Sequence, residues 1–302
     1  MNDPIRSPGL SAHGEAVPDA PLFPLPDAVL MPFVTQALAE DLGRRGDVTS
    51  AAVIPPGSQA RLAMVSRSAG VLAGLDLARL SFHAMDPSIR FVAESRDGEA
   101  IEAGQVLARV EGDAIALLSA ERTALNFMTH LSGIAGMTAA AVALVAGTGA
   151  RITCSRKTLP GLRVLQKYAV RAGGGWNHRL GLDDAMLIKD NHLVYAESLG
   201  DAVRRARAAG GYLIPVEVEV DTLAQLDEVL AAGADWVLLD NMDDETLREA
   251  VRRCRGRART EASGGITPER LKRVAACGVD SIALGYLTHS SRAHDIGLDY
   301  LP

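Results

Sequence analysis

The sequence contains few of the residues that mark secreted, zinc-binding or nucleic-acid-binding proteins. Its 302 residues include three cysteines, too few and too far apart for a disulfide framework, and no CxxC pair or Cys/His cluster indicates zinc. Aromatic residues make up only 4%, so Ala, Leu, Val and Ile must build the core. The net charge is −6, which argues against nucleic-acid binding through overall charge. We therefore predict a soluble, folded protein of the reducing cytoplasm that binds no nucleic acid.

Charge is missing from one long segment, residues 123–150, which contains no Asp, Glu, Lys or Arg. Its length would suffice for a membrane span. However, Asn126, His130, four glycines and many alanines make it only weakly apolar. We therefore predict a buried helix or helix pair and no membrane association. The chain also begins without a basic region followed by an apolar run, so no signal peptide is predicted.

Lysine is scarce, with four residues against 27 arginines, and none precedes Lys157. This absence decides one alternative function. Residues 97–107 resemble the hairpin of lipoyl and biotinyl carrier domains, which bear their prosthetic group on a lysine at the hairpin tip. Because this part of the chain has no lysine, we interpret the hairpin as structural and not as a carrier.

The first half of the chain predicts a tail and a mixed domain. Residues 1–26 hold six prolines and no apolar period, so residues 1–30 are predicted to be a flexible tail. A domain follows over residues 31–148, opening with a helix that starts near Pro32 and ends at Gly43. Turn signals at Asp97-Gly98 and Ala103-Gly104 separate short strands. These strands are predicted over residues 61–66, 70–73, 89–94 and 105–110, with a glycine-broken helix over 119–146.

The pattern changes after residue 150, and a second domain is predicted over residues 149–302. Six short apolar runs recur, over residues 151–155, 185–190, 212–220, 235–240, 260–265 and 280–285. Helical segments lie between them, notably over residues 223–232, 244–254 and 268–277. This alternation implies parallel strands with right-handed crossovers. A barrel with fewer than eight strands and an open doubly wound sheet both fit the pattern.

Every predicted strand of the second domain ends in a charged, polar or glycine residue. In a parallel α/β barrel the chemistry lies at the carboxyl ends of the strands, so these residues are candidates for a site. The residues at the ends are Ser155-Arg156-Lys157, Lys189-Asp190-Asn191-His192, Glu217/Glu219, Asp240-Asn241, Ser263-Gly264-Gly265 and Gly285.

The residue types suggest a phosphorylated substrate. A cationic set inside an acidic protein concentrates and orients anions; it comprises Arg156, Lys157, His178, Arg179 and Lys189. Glu219 and Asp240 could hold Mg²⁺ shared with substrate phosphates, or could form a salt bridge without metal. Glu217 and Glu219 share one strand face, so at least one of them should meet a cation.

A phosphate cradle is predicted at the last two strands. Ser263, Gly264 and Gly265 lead into a helix, where backbone N–H groups and the helix dipole favour a phosphate. Gly285 and the segment that contains His289 could form its second half.

Several motifs resemble the quinolinate phosphoribosyltransferase family. The most specific are SRKTLPGLR (155–163), GGGWNHR (173–179) and IKDNH (188–192). ERTALN (121–126), VEVEV (216–220), EASGGI (261–266) and LTHS (287–290) agree, in order, over about residues 37–289. The resemblance implies an α/β fold, with an N-terminal α/β sandwich followed by an incomplete, about six-stranded, parallel α/β barrel.

The resemblance also implies a reaction and a set of site residues. Quinolinate would react with 5-phosphoribosyl-1-pyrophosphate to give nicotinate mononucleotide, carbon dioxide and pyrophosphate, in NAD synthesis. Arg122, Arg156, His178, Arg179 and Lys189 would bind the two carboxylates of quinolinate. The phosphoribosyl pyrophosphate would contact Lys157, Glu219, Asp240, Ser263, Gly264, Gly285 and His289. Glu219 and Asp240 would act through Mg²⁺, no organic cofactor would be required, and a homodimer would place Arg122 in the partner's site.

A related type II phosphoribosyltransferase is the main alternative. One such enzyme uses nicotinate, which has a single carboxylate and would need fewer cations; another relative is associated with molybdenum transport. The release of carbon dioxide from quinolinate would separate these hypotheses.

Overall fold

The computed structural model describes residues 21–301, and the chain divides into two units. We call them the sandwich unit and the barrel unit. The sandwich unit comprises residues 21–140, 157–175 and 286–301. The barrel unit comprises Ala141–Arg156 and Trp176–Gly285. Most of the predicted tail, residues 1–20, lies outside the described residues.

The sandwich unit contains a four-stranded antiparallel sheet in the order β12-β1-β5-β3. Its strands are β1 (Gln59–Ser66), β3 (Arg90–Ala93), β5 (Val106–Asp113) and β12 (Ile296–Tyr300). A small ribbon pairs β2 (Gly70–Val71) with β4 (Ala100–Ile101). The helices are α1 (Asp27–Leu42), α2 (Val48–Val53), α3 (Leu75–Met85), α4 (Ala114–Leu144), α5 (Arg163–Ala172) and α11 (Tyr286–His289).

The sandwich core follows from the apolar spacing of its strands and helices. Leu62 and Met64 alternate along β1 and are buried, together with Leu107 on β5 and Phe82 on α3. Along α4, buried residues recur every three or four positions and so form one apolar face. They are Leu117, Ala120, Ala124, Met128, Leu131 and Ala135.

The predicted glycine breaks in the helix over residues 119–146 are wrong. Helix α4 runs without interruption through Gly133 and Gly136. A Cβ at Gly133 would clash with the main-chain carbonyl oxygen of Arg292, so this glycine permits a close approach of two chain segments. The helix is long and apolar enough to cross a membrane by length and composition. A core helix of a soluble protein passes the same test, and the apolar face of α4 is buried within the protein.

The barrel unit contains six strands in the order β6-β11-β10-β9-β8-β7, and all neighbouring pairs are parallel. The strands are β6 (Arg151–Thr153), β7 (Met186–Ile188), β8 (Val216–Val220), β9 (Trp236–Asp240), β10 (Arg259–Ser263) and β11 (Ser281–Ala283). The helices are α6 (Asp190–Leu193), α7 (Leu199–Gly210), α8 (Leu223–Ala231), α9 (Asp244–Cys254) and α10 (Pro268–Ala276).

Side chains of non-neighbouring strands meet inside this sheet. Thr153 on β6 hydrogen-bonds to Glu261 on β10, although β11 lies between the two strands. His178 contacts both Glu217 on β8 and Glu261 on β10, which β9 separates. Contacts between alternate strands are how a barrel interior is filled. The sheet is therefore curled, and because β6 and β7 do not pair with each other in the described chain, the barrel is incomplete, as predicted.

Residues at the starts of three barrel-unit helices stabilise those helix ends. Thr222 and Gln225 form a capping box at α8, and the Asp243 carboxylate accepts the Thr246 N–H at α9. Helix α10 starts at Pro268, directly after Thr267, and proline is favoured at the first position of a helix. The predicted bounds of these three helices agree with the structure to within one residue.

Other boundaries differ from the predictions. Helix α1 starts at Asp27, so the predicted tail 1–30 is too long and the predicted start near Pro32 is too late; Pro32 lies inside the helix. The second domain, predicted over residues 149–302, does not include its last segment, because β12 pairs with β1 in the sandwich sheet. Residues 157–175 also belong to the sandwich unit. Helices α3, α5 and α7 are not individually predicted by the sequence patterns.

Candidate active site

The carboxyl ends of the six barrel strands carry the predicted polar residues. Lys189 directly follows β7, Glu219 lies near the end of β8, and Asp240 and Ser263 are the last residues of β9 and β10. Asp240 and Ser263 are register partners. Because the strands are parallel, all these ends lie at one edge of the sheet. The barrel unit therefore brings these side chains to one edge, as the sequence predicted.

Two arginines at this edge have buried donors without acceptors. The Nε atoms of Arg156 and Arg179 are buried and have no hydrogen-bond partner among residues 21–301. Arg179 is held in place by a bond of 2.9 Å from its Nη1 to the carbonyl oxygen of Ala185. Burial, followed by the positive charge of Arg156, lowers the pKa of Arg179. An anion that accepted both Nε–H groups would satisfy these donors and the shared positive charge.

Lys189 and Glu219 form an ion pair between the ends of β7 and β8. The side chain of Lys189 is 42% exposed, whereas that of Glu219 is 16% exposed. The lysine can therefore reach a ligand from the open side while the carboxylate stays fixed. This pair and the contact of Glu217 with His178 confirm that the two carboxylates on this strand face meet basic side chains.

Hydrogen bonds join the end of β9 to Ser263, where the predicted phosphate cradle begins. The Asn241 N–H donates to the Ser263 carbonyl oxygen at 3.1 Å, and its Nδ2 donates to Asp240 Oδ2 at 2.6 Å. Asn241 is the only non-glycine residue with a positive φ, 54°, in the part of the chain that the structure describes. Gly264 has φ +89°, and a Cβ there would clash with the Asn241 side chain. The local backbone thus requires glycine at position 264.

A buried cluster lies on the interior layer of the barrel, and the sequence reasoning identified it only in part. His178 Nε2 lies 2.8 Å from Glu217 Oε2 and 3.4 Å from Glu261 Oε1. The sequence shows Glu261 only as the first residue of the motif EASGGI, and no role is predicted for it. No local signal could indicate such a role, because the partners of Glu261 come from other strands.

Hydroxyl groups complete the surroundings of Glu261. Its Oε2 accepts hydrogen bonds of 3.0 Å from the hydroxyls of Thr153 and Ser281. Its Oε1 is buried and has no hydrogen-bond partner among the described residues. Burial and the nearby charge of Glu217 raise the pKa of Glu261 to about 7. The protonated form of this carboxyl group is therefore more favourable than that of an exposed glutamate.

The geometry of His178 bears on whether this cluster would hold a metal. The ligand atoms of His178, Glu217 and Glu261 lie within 4.8 Å of one another. However, His178 Nδ1 accepts the Arg179 N–H at 2.8 Å, so the ring proton is on Nε2. A metal would need the Nε2 lone pair, with Nδ1 donating a hydrogen bond instead. The arrangement therefore fits a shared proton better than a metal ion.

The remaining predicted residues belong to the sandwich unit. Arg122 is exposed on α4 and has no hydrogen bond or ion pair with any residue of 21–301. The Lys157 carbonyl oxygen accepts the Thr288 hydroxyl at 2.8 Å. His289, the last residue of α11, contacts the Ser290 hydroxyl through Nδ1 at 2.6 Å. Within this unit the structure thus links the segment of Lys157 to the residue before His289.

Gln166 on α5, also in the sandwich unit, is a residue for which the sequence predicted no role. It is fully buried, and its Oε1 accepts the Leu159 N–H at 2.9 Å. Its Nε2 contacts the Thr288 carbonyl oxygen at 3.1 Å and His130 Nε2 at 2.9 Å. One amide therefore fixes the loop after Lys157 and the helix that ends at His289. A polar residue within an amphipathic helix gives no signal for such a role.

Comparisons with known proteins agree over nearly the whole described chain. Residues 47–132 match the family model of the quinolinate phosphoribosyl transferase N-terminal domain, and residues 134–299 match that of the C-terminal domain. The nicotinate-nucleotide pyrophosphorylase [carboxylating] of Mycobacterium leprae is 48% identical over 271 residues, which cover 88% of this chain and 95% of that protein.

Two further proteins extend this similarity. The probable nicotinate-nucleotide pyrophosphorylase [carboxylating] of Bacillus subtilis is 44% identical over 261 residues, covering 86% of this chain and 89% of that protein. The crystal structure of NadC from Streptococcus pyogenes superposes with a TM-score of 0.89 at 38% identity, covering 93% of this chain and all of that one. On its sequence, its fold and its strand-end residues, the chain belongs to the quinolinate phosphoribosyltransferase family.

Proposed function

We propose that the protein transfers the phosphoribosyl group of 5-phosphoribosyl-1-pyrophosphate to quinolinate, with loss of carbon dioxide, in the de novo synthesis of NAD. The products are nicotinate mononucleotide, carbon dioxide and pyrophosphate. The observation that carries the proposal is the pair of buried, unpaired Nε–H donors on Arg156 and Arg179. Family membership supports the same activity, since the curated relatives bear the name of this enzyme.

The carboxylates of quinolinate supply the acceptors that these donors lack. Arg156 and Arg179 bind carboxylate oxygens, and the exposed Lys189 ammonium adds a third positive charge. These contacts fix the ring so that its nitrogen faces C1 of the ribose, which converts an encounter into an oriented reaction.

The reaction then proceeds in two steps. The ring nitrogen forms a bond to C1 as the bond from C1 to the pyrophosphate oxygen breaks, and the pyrophosphate departs with the electron pair. The nitrogen is now that of a pyridinium. When the bond between C2 and its carboxylate breaks, the pyridinium stabilises the electron pair left at C2, which then takes up a proton. Lys157 assists the first step by neutralising charge on the leaving pyrophosphate.

Mg²⁺ fits the carboxylates at the ends of β8 and β9. Glu219 and Asp240 offer oxygen ligands, which this hard cation prefers, and Ser263 and Gly264 adjoin them at the next strand. When bound, the ion supplies positive charge to the pyrophosphate. Because Glu219 already pairs with Lys189, its carboxylate would be shared between the two cations. Gly285 and His289 complete the proposed set of phosphate contacts.

An assay with matched substrates tests this function. Quinolinate, phosphoribosyl pyrophosphate and Mg²⁺ should yield carbon dioxide and nicotinate mononucleotide in equal amounts. Nicotinate in place of quinolinate should give little product, and EDTA should abolish turnover until Mg²⁺ is restored. Efficient turnover of nicotinate without carbon dioxide release would instead establish the related nicotinate enzyme.

A homodimer in the cytoplasm is part of the proposal. The exposed Arg122 has no partner in its own described chain, and it would complete the site of the other protomer. Arg122→Ala and Glu219→Ala should each be nearly inactive. A mixed dimer would keep one intact site, so after free subunit exchange about half the dimers are mixed and activity recovers to roughly a quarter of wild type. A mixture that stays inactive after verified exchange would assign Arg122 to its own chain.

A further inference from the structure

Gln166 carries the only asparagine or glutamine side chain that is buried among residues 21–301, with an exposure of 0%. It lies on α5, and both polar atoms of its amide have partners within the sandwich unit. Oε1 accepts the Leu159 N–H, and Nε2 contacts the Thr288 carbonyl oxygen and His130 Nε2. Breaking any of these bonds would leave a buried polar group without its partner, so the amide is a stiff link between three segments of the chain.

The main-chain partners of Gln166 fix the orientation of its amide. The Leu159 N–H can only donate and the Thr288 carbonyl can only accept, so Oε1 faces Leu159 and Nε2 faces Thr288. The second N–H of the amide is then donated to His130 on α4. An apolar side chain at position 166 could make none of these bonds. Glutamine thus serves as acceptor and donor at once.

Thr288 closes a ring of hydrogen bonds with the segment that precedes α5. Its hydroxyl donates to the Lys157 carbonyl oxygen at 2.8 Å, while its own carbonyl accepts from Gln166 at 3.1 Å. Leu159, two residues after Lys157, returns the connection to Gln166 at 2.9 Å. We call these contacts among Lys157, Leu159, Gln166 and Thr288 the hydrogen-bonded ring. The main chain at Lys157 is therefore held directly by Thr288 and indirectly through Leu159.

The ring joins buried anchors to exposed basic residues. Gln166 and Thr288 are buried, whereas Lys157 and His289 are exposed. His289 directly follows Thr288 and is the last residue of α11. The ring therefore fixes the main chain that carries two exposed basic side chains, one on each of two segments that are distant in sequence.

We propose that Gln166 is a positioning residue for phosphoribosyl pyrophosphate, because it sets the spacing between Lys157 and His289. This inference rests on the proposed function, in which Lys157 neutralises the pyrophosphate and His289 contacts the 5-phosphate. The substrate carries these anionic groups at opposite ends of its ribose. Two basic side chains can bind both ends only if the main chain holds them at a matching separation. Gln166 acts through the ring and does not contact the substrate.

Selectivity for one substrate distinguishes positioning from a general contribution to stability. The residues of the same chain that are proposed to bind quinolinate belong to the barrel unit; they are Arg156, Arg179 and Lys189. Loss of the ring should therefore weaken the use of phosphoribosyl pyrophosphate and leave that of quinolinate little changed. A loss of stability alone would reduce the amount of active enzyme, which lowers the apparent kcat and leaves both KM values unchanged.

Steady-state kinetics with each substrate varied in turn test this role in the full-length protein with Mg²⁺. Gln166→Met keeps an unbranched side chain but removes both arms of the amide. The KM for phosphoribosyl pyrophosphate should rise about tenfold or more, as for a lost charge-assisted contact, whereas the KM for quinolinate should change little. The matched control is Tyr168→Phe, which removes a hydrogen bond of 2.8 Å from the same helix to Asp97. This bond lies outside the ring, so both KM values should stay unchanged.

A second pair of variants tests the ring without altering α5. Thr288→Val removes the hydroxyl that binds the Lys157 carbonyl and keeps a similar shape, so the KM for phosphoribosyl pyrophosphate should again rise selectively. Thr288→Ser retains the hydroxyl and should restore a KM close to that of the wild type. Thermal unfolding shows which variants are folded.

The outcomes separate this inference from the proposed function. A folded Gln166→Met protein with a normal KM for phosphoribosyl pyrophosphate overturns the role of Gln166, and so does an equal rise in both KM values. If that variant does not fold, a normal KM in Thr288→Val overturns the proposal instead. A wild-type protein that forms no nicotinate mononucleotide contradicts the proposed function itself.

Discussion

The interiors of the two units differ in the chemistry of their buried side chains. The sandwich core packs apolar residues such as Leu62, Phe82 and Leu107 between the sheet and its helices. The barrel interior instead buries Glu217 and Glu261, the two acidic side chains that are buried in residues 21–301. Buried charge is not confined to the barrel, because Lys167 in the sandwich unit is 1% exposed. The barrel interior differs in that its buried charged side chains are carboxylates, which are costly to bury unless they meet hydrogen-bond donors or positive charge.

The largest expected effect is on the stability of the sandwich unit. Phe82→Ala removes a fully buried ring whose centroid lies 6.2 Å from that of Phe91. The loss of buried area and the resulting cavity should lower the free energy of unfolding by about 3–5 kcal/mol. Chemical denaturation measures this change, with the exposed Phe23→Ala as control. Below the unfolding transition kcat should change little, and a large loss of kcat in the folded variant would contradict the comparison.

The next effect concerns the pH dependence of stability in the barrel unit. Burial and the nearby charge of Glu217 hold the pKa of Glu261 in the folded protein above that of an unfolded glutamate, which is about 4.3. The folded state therefore holds an extra proton between these values, and this stabilisation disappears as pH rises. From about pH 5 to 8 the free energy of unfolding of the wild type should therefore fall relative to that of Glu261→Gln. Parallel unfolding curves at the two pH values would show that Glu261 has an ordinary pKa.

Loss of Lys189 should change a binding free energy by less, but its effect on kcat/KM for quinolinate should be easy to measure. Lys189→Ala removes one charge-assisted contact from the open edge of the barrel, which is worth roughly 1.5–3 kcal/mol. We expect kcat/KM for quinolinate to fall about ten- to a hundredfold while the protein stays folded. Lys272→Ala, on the exposed face of α10, is the matched control. Near-normal kcat/KM in folded Lys189→Ala would exclude the lysine from substrate binding.

The smallest expected effect is on the stability of the sandwich unit, at the start of α2. The Asp47 carboxylate accepts the N–H groups of Thr49 and Ser50 at the start of α2, and hydrogen bonds from Ser50 above all lower its pKa. Asp47→Ala should cost about 1 kcal/mol of stability and leave activity unchanged. Because the pKa is lowered, this stabilisation is lost as pH falls through the acidic range. Thermal unfolding at about pH 7 and pH 3 checks it, and an equal difference at both values would contradict the capping role.

The sequence predicted the elements whose signals are local. Short apolar runs located the six barrel strands, and the helical segments between them located α8, α9 and α10 to within one residue. Glycines marked the turns at Gly98 and Gly104, where φ is positive. The strand-end residues from Arg156 to Gly285 could be named as site candidates because the carboxyl ends of parallel strands lie at one edge.

Features that depend on distant segments could not be predicted in this way. Strand β12 joins β1 across more than 200 residues of chain, and no local pattern assigns a strand to one sheet rather than another. The long helix α4 passes through Gly133 because another segment packs there, which overrides the glycine signal.

The amino-acid sequence by itself determined the family, the order of the six barrel strands, and the residue types at the strand ends. Only the tertiary structure decided which of those residues meet. The curl of the sheet brings β6, β8 and β10 into one interior layer and so sets Glu261 beside Glu217 and His178. The physical reason is that burial and neighbouring charge, which fix where a proton resides, arise from residues far apart in the chain.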